Sequence, residues 1–396
     1  MKMQILIADK FPDKYIQMLR DYDLDVTYEP KLGENDLRDA AKEMDILVVR
    51  STKVNATTID SALKLNLIIR AGAGYNNIDI PTANKKGIYV ANIPGKNSIA
   101  VAELAIGHMI ALDRRIPDNV IDFRNKKWNK SEYSKAQGLF GKTLAIVGYG
   151  NIGKEVAKRA IAFGMNVYVK DIARIEGYGI KDFSEFDKTL PIADVISVHL
   201  PITPETKNLF NDKMFSYMKD EAIFINTSRA GVVDEDALLR AIESKNLRVG
   251  LDVFKDEPEG KVGVVNSKLQ NYPNVYVTHH IGASTQQAQN AVAEETVNII
   301  LKFINSGVIA HWVNRANPPK TYFQLAVKHY DKPGVLASVM EVLKEQDMNV
   351  EQVENVIFDG GLVALCTMKL NNPLSSDTLT KIKNCPEVMT VSHVAL

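Results

Sequence analysis

Short apolar runs alternate along most of the chain with segments whose apolar positions recur every three or four residues. Gln4–Ala8, Asp25–Tyr28, Asp45–Arg50, Leu67–Ala71 and Ile88–Ala91 read as strands. Between them Asp13–Asp21, Glu34–Glu43 and Ala56–Leu63 carry helical spacing. Runs that are apolar at every position, rather than at alternate ones, suit strands buried on both faces, so this βαβα order predicts a parallel sheet under two layers of helix.

Asn97–Ile116 is apolar over most of its length, opens at Asn97-Ser98 and is closed by Pro117, which predicts a buried helix. His108 inside it reads as a satisfied core histidine. A second βαβ series runs from Lys142 to His280, and Ser284–Ile304 is another long helical pattern ending at Asn305-Ser306-Gly307. Asn317-Pro318-Pro319-Lys320 then breaks either regular structure, because proline fixes φ and removes a donor. Beyond it come a strand at Thr321–Lys328, a helix at Gly334–Gln346 and strands at Val350–Phe358 and Leu362–Leu370 around the turn Asp359-Gly360-Gly361. A helix at Ser376–Lys383 and a strand at Val388–Val394 complete a βαββαβ order, the pattern of a ferredoxin-like module.

A chain of 396 residues exceeds what one core organises, so several domains are expected. Lys+Arg and Asp+Glu both number 48, which gives no overall field toward nucleic acid or an acidic membrane. Cys366 and Cys385 read as thiols of a reducing compartment, and no cysteine spacing suits a metal. Met1–Lys10 reads as a first strand rather than a leader, and no uncharged run approaches the ~18 apolar residues of a membrane span. A cytoplasmic protein is expected.

The most specific local signal is Gly148-Tyr149-Gly150-Asn151-Ile152-Gly153, between the strand Lys142–Val147 and a helix running to about Phe163. Gly148 permits the tight turn, Gly150 lets the backbone approach a pyrophosphate, and Gly153 allows close packing of helix on strand. A second strand, Met165–Lys170, delivers Asp171, 23 residues after Gly148, where a carboxylate accepts from ribose hydroxyls and repels a 2′-phosphate. The dinucleotide expected is therefore NAD, although Lys170 and Arg174 flank that carboxylate.

Oxidation of a carbinol needs a base beside a substrate clamp. Asn226-Thr227-Ser228-Arg229, Asp252 with Glu257-Pro258, and His279-His280-Ile281-Gly282 lie at or beyond predicted strand ends and offer both. Together with Arg50-Ser51-Thr52-Lys53-Val54, Arg70-Ala71-Gly72-Ala73-Gly74, Gly95-Lys96-Asn97-Ser98, Ala102-Glu103-Leu104, Asn226–Glu235 and His280–Thr285, this order resembles the D-isomer-specific 2-hydroxyacid dehydrogenases. The resemblance spans Arg50 to about Asn314. It implies an α/β protein in which residues 1–92 and 281–316 form a discontinuous flavodoxin-like substrate domain. Residues 93–280 would form a Rossmann-type doubly wound NAD domain, 317–320 a linker, and 321–396 a C-terminal domain.

Carried over by position, the resemblance makes Arg229 the clamp for the substrate carboxylate, His280 the general base and Glu257 its partner, with His279 the adjacent competitor. Gly148, Gly150, Asn151, Ile152, Gly153, Asp171, Leu200, Pro201, Thr227, Ser228, Asp252, Gly282 and Ala283 would line the cofactor, Asp252 holding the nicotinamide amide. Arg50, Ser51, Arg70, Gly72 and Asn97 would join Arg229 and His280 around the substrate. His199 reads as structural, and no metal is expected.

Two features narrow the substrate. Arg50 and Arg70 suit a second, distal anion such as a phosphate. Residues 321–396 resemble an ACT domain, an amino-acid-sensing fold, through His329-Tyr330-Asp331-Lys332-Pro333-Gly334-Val335-Leu336. The combination is similar to the family's phosphoglycerate-oxidising members and implies conversion of D-3-phosphoglycerate to 3-phosphohydroxypyruvate, the first step of L-serine biosynthesis. A glyoxylate or hydroxypyruvate reductase, and an NAD-sensing corepressor or scaffold, are the competing readings. Serine-inhibited relatives bind the effector through His-x-Asn and a later Asn; here His329 and Asn349 match, and Asp331 replaces the first Asn. Family analogy adds a homodimer or homotetramer.

Overall fold

In a computed structural model of the chain, the structure describes residues 2–172, 175, 177, 179–183, 185–258, 262–316 and 323–395. Arg174, the linker at 317–320 and the predicted strand start at Thr321 lie outside the described residues. The chain forms two compact units, residues 1–314 and 315–396.

The first unit holds two parallel sheets. β1 (Gln4–Ile7), β2 (Asp25–Tyr28), β3 (Ile46–Val49), β4 (Leu67–Arg70) and β5 (Tyr89–Asn92) lie in the order β2-β1-β3-β4-β5, the flavodoxin-like arrangement. Its strands are apolar throughout because each face meets helices. Ile5, Ile7, Ile46, Val48, Leu67 and Ile69 pack on one side, and Leu6, Leu47, Val49, Ile68 and Val90 on the other.

β6 (Thr143–Val147), β7 (Asn166–Lys170), β8 (Ile180–Asp182), β9 (Val195–Val198), β10 (Ile223–Asn226), β11 (Arg248–Leu251) and β12 (Val275–Val277) form the second sheet. Its order is β12-β11-β10-β9-β6-β7-β8, doubly wound about β6. Ala145, Ile196 and Phe224 point into one core, and Leu144, Val167 and Ile225 into the other.

The chain crosses between the sheets twice. After β5, the helix Ser98–Arg114 packs Ala102, Ala105, Ile106 and Met109 against the second sheet. After β12, the helix Gln286–Ser306 returns Ala293, Val297 and Ile300 to the first. Both helices agree with the sequence pattern to within two or three residues. The carboxyl ends of both sheets border one cavity, where open α/β sheets bind ligands.

One helix goes unpredicted by the pattern, and one local expectation needs correcting. A seven-residue helix, Ile80–Lys86, precedes β5. Only Ala83 in it is buried, so no apolar period betrays it, although Asp79 caps Thr82 N–H, Pro81 sits in its first turn and Gly87 ends it at φ +66°. Pro117 closes nothing: the helix ends at Arg114, Arg115 turns through φ +50°, and Pro117 occupies the first turn of a further helix, Ile116–Arg124. There its missing N–H costs no bond.

In the second unit, β13 (Phe323–Tyr330), β14 (Val350–Ile357), β15 (Val363–Leu370) and β16 (Val388–Ala395) form an antiparallel sheet in the order β14-β15-β13-β16. The helices Val335–Glu345 and Ser376–Lys383 bury Val339, Leu343 and Ile382 against Leu325, Val327, Cys366 and Met368. This is the ferredoxin-like βαββαβ module the pattern predicts. His329 is buried, its Nδ1 donating to the Tyr330 carbonyl at 2.7 Å and its Nε2 lying 3.3 Å from the Asn355 amide. Val350 and Phe323 both pair with Leu370, whereas Tyr330 pairs with Val363. Asn349 is thus near the opposite end of the sheet from His329 and Asp331, roughly 20 Å away at about 3.3 Å per residue. One chain does not bring the three together.

Phe224 is fully buried between Phe210 and Phe215, with ring centroids 5.1 and 5.4 Å away. Phe224→Ala is expected to cost about 3–5 kcal/mol of stability, read as a lowered unfolding midpoint in denaturant.

Candidate active site

β6 ends at Val147, and the chain turns through Gly148 at φ +98°, a region where side chains are strained. A Cβ on Gly148 would lie 2.5 Å from the His199 carbonyl oxygen, and one on Gly153 would lie 2.1 Å from that of Gly148. Space beside Gly150 is open to 4 Å. The helix Asn151–Ala162 starts from this loop, so its unpaired N–H groups and positive dipole end lie there. β6 sits between β9 and β7, at the point where the strand order reverses. Asp171 follows β7, and its Oδ2 accepts the Tyr149 N–H at 2.6 Å, which puts the carboxylate at the lip of the loop.

Ile152, Leu200, Pro201, Thr227, Ser228, Asp252, Gly282 and Ala283 line a cavity of about 820 Å³ continuing from this loop. Thr227 Oγ1 is buried with no partner among the described residues. An open phosphate-sized approach, a helix N-terminus and an unpartnered hydroxyl fit a dinucleotide. His199 also borders the cavity. Its Nε2 bonds Ser197 Oγ at 2.8 Å, and burial pushes the ring down to about 3, so it is neutral.

Arg50, Ser51, Arg70, Gly72, Asn97, Arg229 and His280 line the same cavity. The two arginines Arg70 and Arg229 fit because neighbouring residues have no side chain. A Cβ on Gly72 would lie 1.7 Å from an Arg70 guanidinium nitrogen, and one on Gly74 would lie 2.4 Å from one of Arg229. Burial, then the charges of Arg229 and Arg50, push Arg70 down to about 10, against the pull of Asp9; it remains charged at neutral pH. Burial likewise lowers Arg229. Among the described residues no carboxylate pairs with Arg50, Arg70 or Arg229, and the buried Arg70 Nε has no partner. The cavity is therefore strongly attractive to anions.

His280 stands at φ +52°, with its Nδ1 2.8 Å from Glu257 Oε2. A carboxylate only accepts, so Nδ1 carries the proton and Nε2 of the neutral ring is bare. Glu257 is itself held by the Phe254 N–H, 3.0 Å from Oε1. The hydrogen bond to Glu257, together with the charges of Glu257 and Asp252, raises His280 above the usual imidazole range, against burial and Arg229. The His279 ring makes no hydrogen bond or ion pair among the described residues and does not line the cavity.

Sequence reasoning missed Asp9. It follows β1, is 6% exposed, and its Oδ2 accepts the N–H groups of Arg50, Ser51 and Thr52 at 2.7, 2.9 and 2.9 Å. Asn77 braces the same loop through the Thr52 carbonyl at 2.8 Å. The only local signal for Asp9 is a carboxylate just beyond an apolar run. Its partners lie more than forty residues downstream.

Residues 106–282 match the family model described as "D-isomer specific 2-hydroxyacid dehydrogenase, NAD binding domain". A hydroxypyruvate reductase of Thermotoga maritima is 40% identical over 304 residues, 76% of this chain and 98% of that protein. A D-3-phosphoglycerate dehydrogenase of Methanocaldococcus jannaschii is 36% identical over 369 residues, 91% of this chain and 68% of that longer protein. Among solved structures, an NAD-bound 3-phosphoglycerate dehydrogenase from Entamoeba histolytica superposes with a TM-score of 0.67 at 28% identity, over 80% of this chain and all of that one. With a near-complete relative at this identity and the glycine loop inside the matched domain, the chain belongs to the D-isomer-specific 2-hydroxyacid dehydrogenase family, and its cofactor is NAD.

Proposed function

We propose that the protein oxidises D-3-phosphoglycerate to 3-phosphohydroxypyruvate with NAD. The observation that carries this reading is the convergence of Arg50, Arg70 and Arg229, without a carboxylate partner among the described residues, on the cavity that holds His280. A carboxylate needs one bidentate guanidinium. A phosphate at the far end of the substrate adds roughly two negative charges, which the remaining two arginines match, whereas lactate or glyoxylate would leave them unbalanced. One relative supports it further: the phosphoglycerate dehydrogenase of Methanocaldococcus jannaschii aligns over 369 residues, more than the 314 of the first unit, so its likeness extends into the second.

In this reading Gly148, Gly150 and Gly153 seat the pyrophosphate against the helix beginning at Asn151. Asp171 takes the adenosine ribose, and Thr227 and Ser228 line the nicotinamide half. Asp252 spends three of its roughly four acceptor sites within the chain, leaving one for the nicotinamide amide. NAD, when bound, supplies the hydride acceptor. Arg229 clamps the substrate carboxylate, while Arg50, Ser51 and Arg70 take the phosphate. The bare Nε2 of His280 accepts the hydroxyl proton, and Glu257 stabilises the imidazolium that forms. In reduction the same proton returns to the carbonyl oxygen.

The second unit is read as an amino-acid-sensing module. Because His329 and Asp331 lie far from Asn349 in one chain, a site built from all three would need two chains paired.

The deciding measurement is NADH formation from D-3-phosphoglycerate, with D-glycerate, D-lactate and, in reverse, hydroxypyruvate and glyoxylate as comparisons. Preference for an unphosphorylated acid would replace the proposal with the reductase reading that the Thermotoga relative favours. Arg50→Gln should raise KM for phosphoglycerate at least ~10-fold with little effect on D-glycerate. His280→Asn should retain NADH binding and lose ~10²–10⁴ in turnover; near-normal turnover would remove His280 as the base. Oxidation requires neutral His280, so its rate falls as pH drops through the raised imidazole pKa. Glu257→Gln removes the first cause of that elevation, so the acid limb of kcat/KM should move to lower pH while its plateau falls.

A further inference from the structure

His280 owes its position to a turn that something else must hold. Left-handed backbone at a non-glycine residue persists only where its surroundings enforce it. The two N–H groups that follow it, of Ile281 and Gly282, both donate to Asp252, at 2.9 Å to Oδ1 and 2.7 Å to Oδ2. Asp252 is 2% exposed and has no cation at ion-pair distance among the described residues. Its Oδ1 accepts a third bond, 2.6 Å from Thr278 Oγ1, and that hydroxyl lies 3.1 Å from His108 Nε2.

The hydrogens in this chain can be counted. The Thr278 hydroxyl has one proton, and the carboxylate can only accept it, so the same oxygen accepts from His108. His108 Nε2 therefore carries a hydrogen. Burial lowers His108 below the usual imidazole range, against the charge of Asp252, which leaves a neutral ring protonated at Nε2. His108 comes from the helix Ser98–Arg114, 170 residues before Thr278. Room for it is made in β11, where a Cβ on Gly250 would lie 2.9 Å from that of His108.

We propose that His108 and Thr278 are positioning residues: a buried chain His108–Thr278–Asp252 locks the turn that aims His280. The proposal rests on His280 being the base. The chain ends on the carboxylate that holds both N–H groups after His280, so removing its upstream donors frees Asp252 to rotate and the turn to relax. Glu257, Asp252 and Arg229 are the charged groups acting on His280, and Asp252 acts on His108. Loss of the turn disturbs the first of these contacts, the bond from His280 to Glu257.

The test uses the full chain with Thr278→Val and Thr278→Ser, and His108→Leu and His108→Gln. Glutamine offers an amide N–H near the position of Nε2. Thr278→Val and His108→Leu should lower kcat by about ten- to a hundredfold, with substrate KM changed by less than ~3-fold, while Thr278→Ser and His108→Gln should recover most of the rate. Thermal melting confirms that each variant folds; should one valine or leucine variant fail, the other pair makes the same comparison. In parallel, the His280 ring is titrated by NMR on histidine-labelled protein, assigned by its loss in His280→Asn. Its pKa should fall in Thr278→Val and return in Thr278→Ser. Valine and serine variants with equal rates, or a His280 titration unmoved in a folded Thr278→Val, would overturn the chain. The titration needs no turnover, so a wild type inactive on every hydroxy acid would defeat the functional reading and still leave this arm to decide the proposal.

Discussion

The site depends on two buried carboxylates, one at the carboxyl end of each sheet. Asp9 gathers the N–H groups of residues 50–52, and Asp252 those of residues 281 and 282. A buried carboxylate is tolerable only when hydrogen bonds replace its water. Satisfying that demand folds each loop around the acid, and each loop carries a residue of the proposed site, Arg50 in one case and His280 in the other. The same desolvation that makes these acids costly also makes their loops rigid.

Between the two loops lies a compact group of like charges. Arg70 feels both Arg50 and Arg229, and Asp9 offsets them in part. Such an arrangement is unfavourable in isolation. It is accommodated because the backbone at Gly72 and Gly74 leaves volumes that the guanidinium groups fill. The glycines matter here as moulds for neighbouring side chains more than as turn formers.

Legibility in the sequence followed the range of the interactions. The glycine loop was readable because its strand, turn and helix are contiguous and its steric demands local. Arg229 and His280 could be placed because strand ends and the family pattern mark them. Both parallel sheets and the C-terminal module followed from apolar spacing. The helix Ile80–Lys86 did not, since one buried alanine makes no period. Pro117 was misjudged because a proline stops one helix and starts another by the same chemistry. Asp9, Thr278 and His108 were invisible as a set, because their roles arise from contacts spanning tens to well over a hundred residues. His108 did read correctly as a satisfied core residue, but what satisfies it was not foreseeable.

The double crossing of the chain has a consequence for how the protein comes into being. The first sheet is complete in its strands by Asn92, yet one of its faces waits for Val297 and Ile300. On a ribosome, the lobe that begins first is finished last, after every strand of the second sheet has been made. A fragment ending at His280 would contain every strand of both sheets and leave an apolar face of the first one in water. The helix Gln286–Ser306, which carries none of the proposed chemistry, is therefore the closing piece of the lobe built on the first sheet.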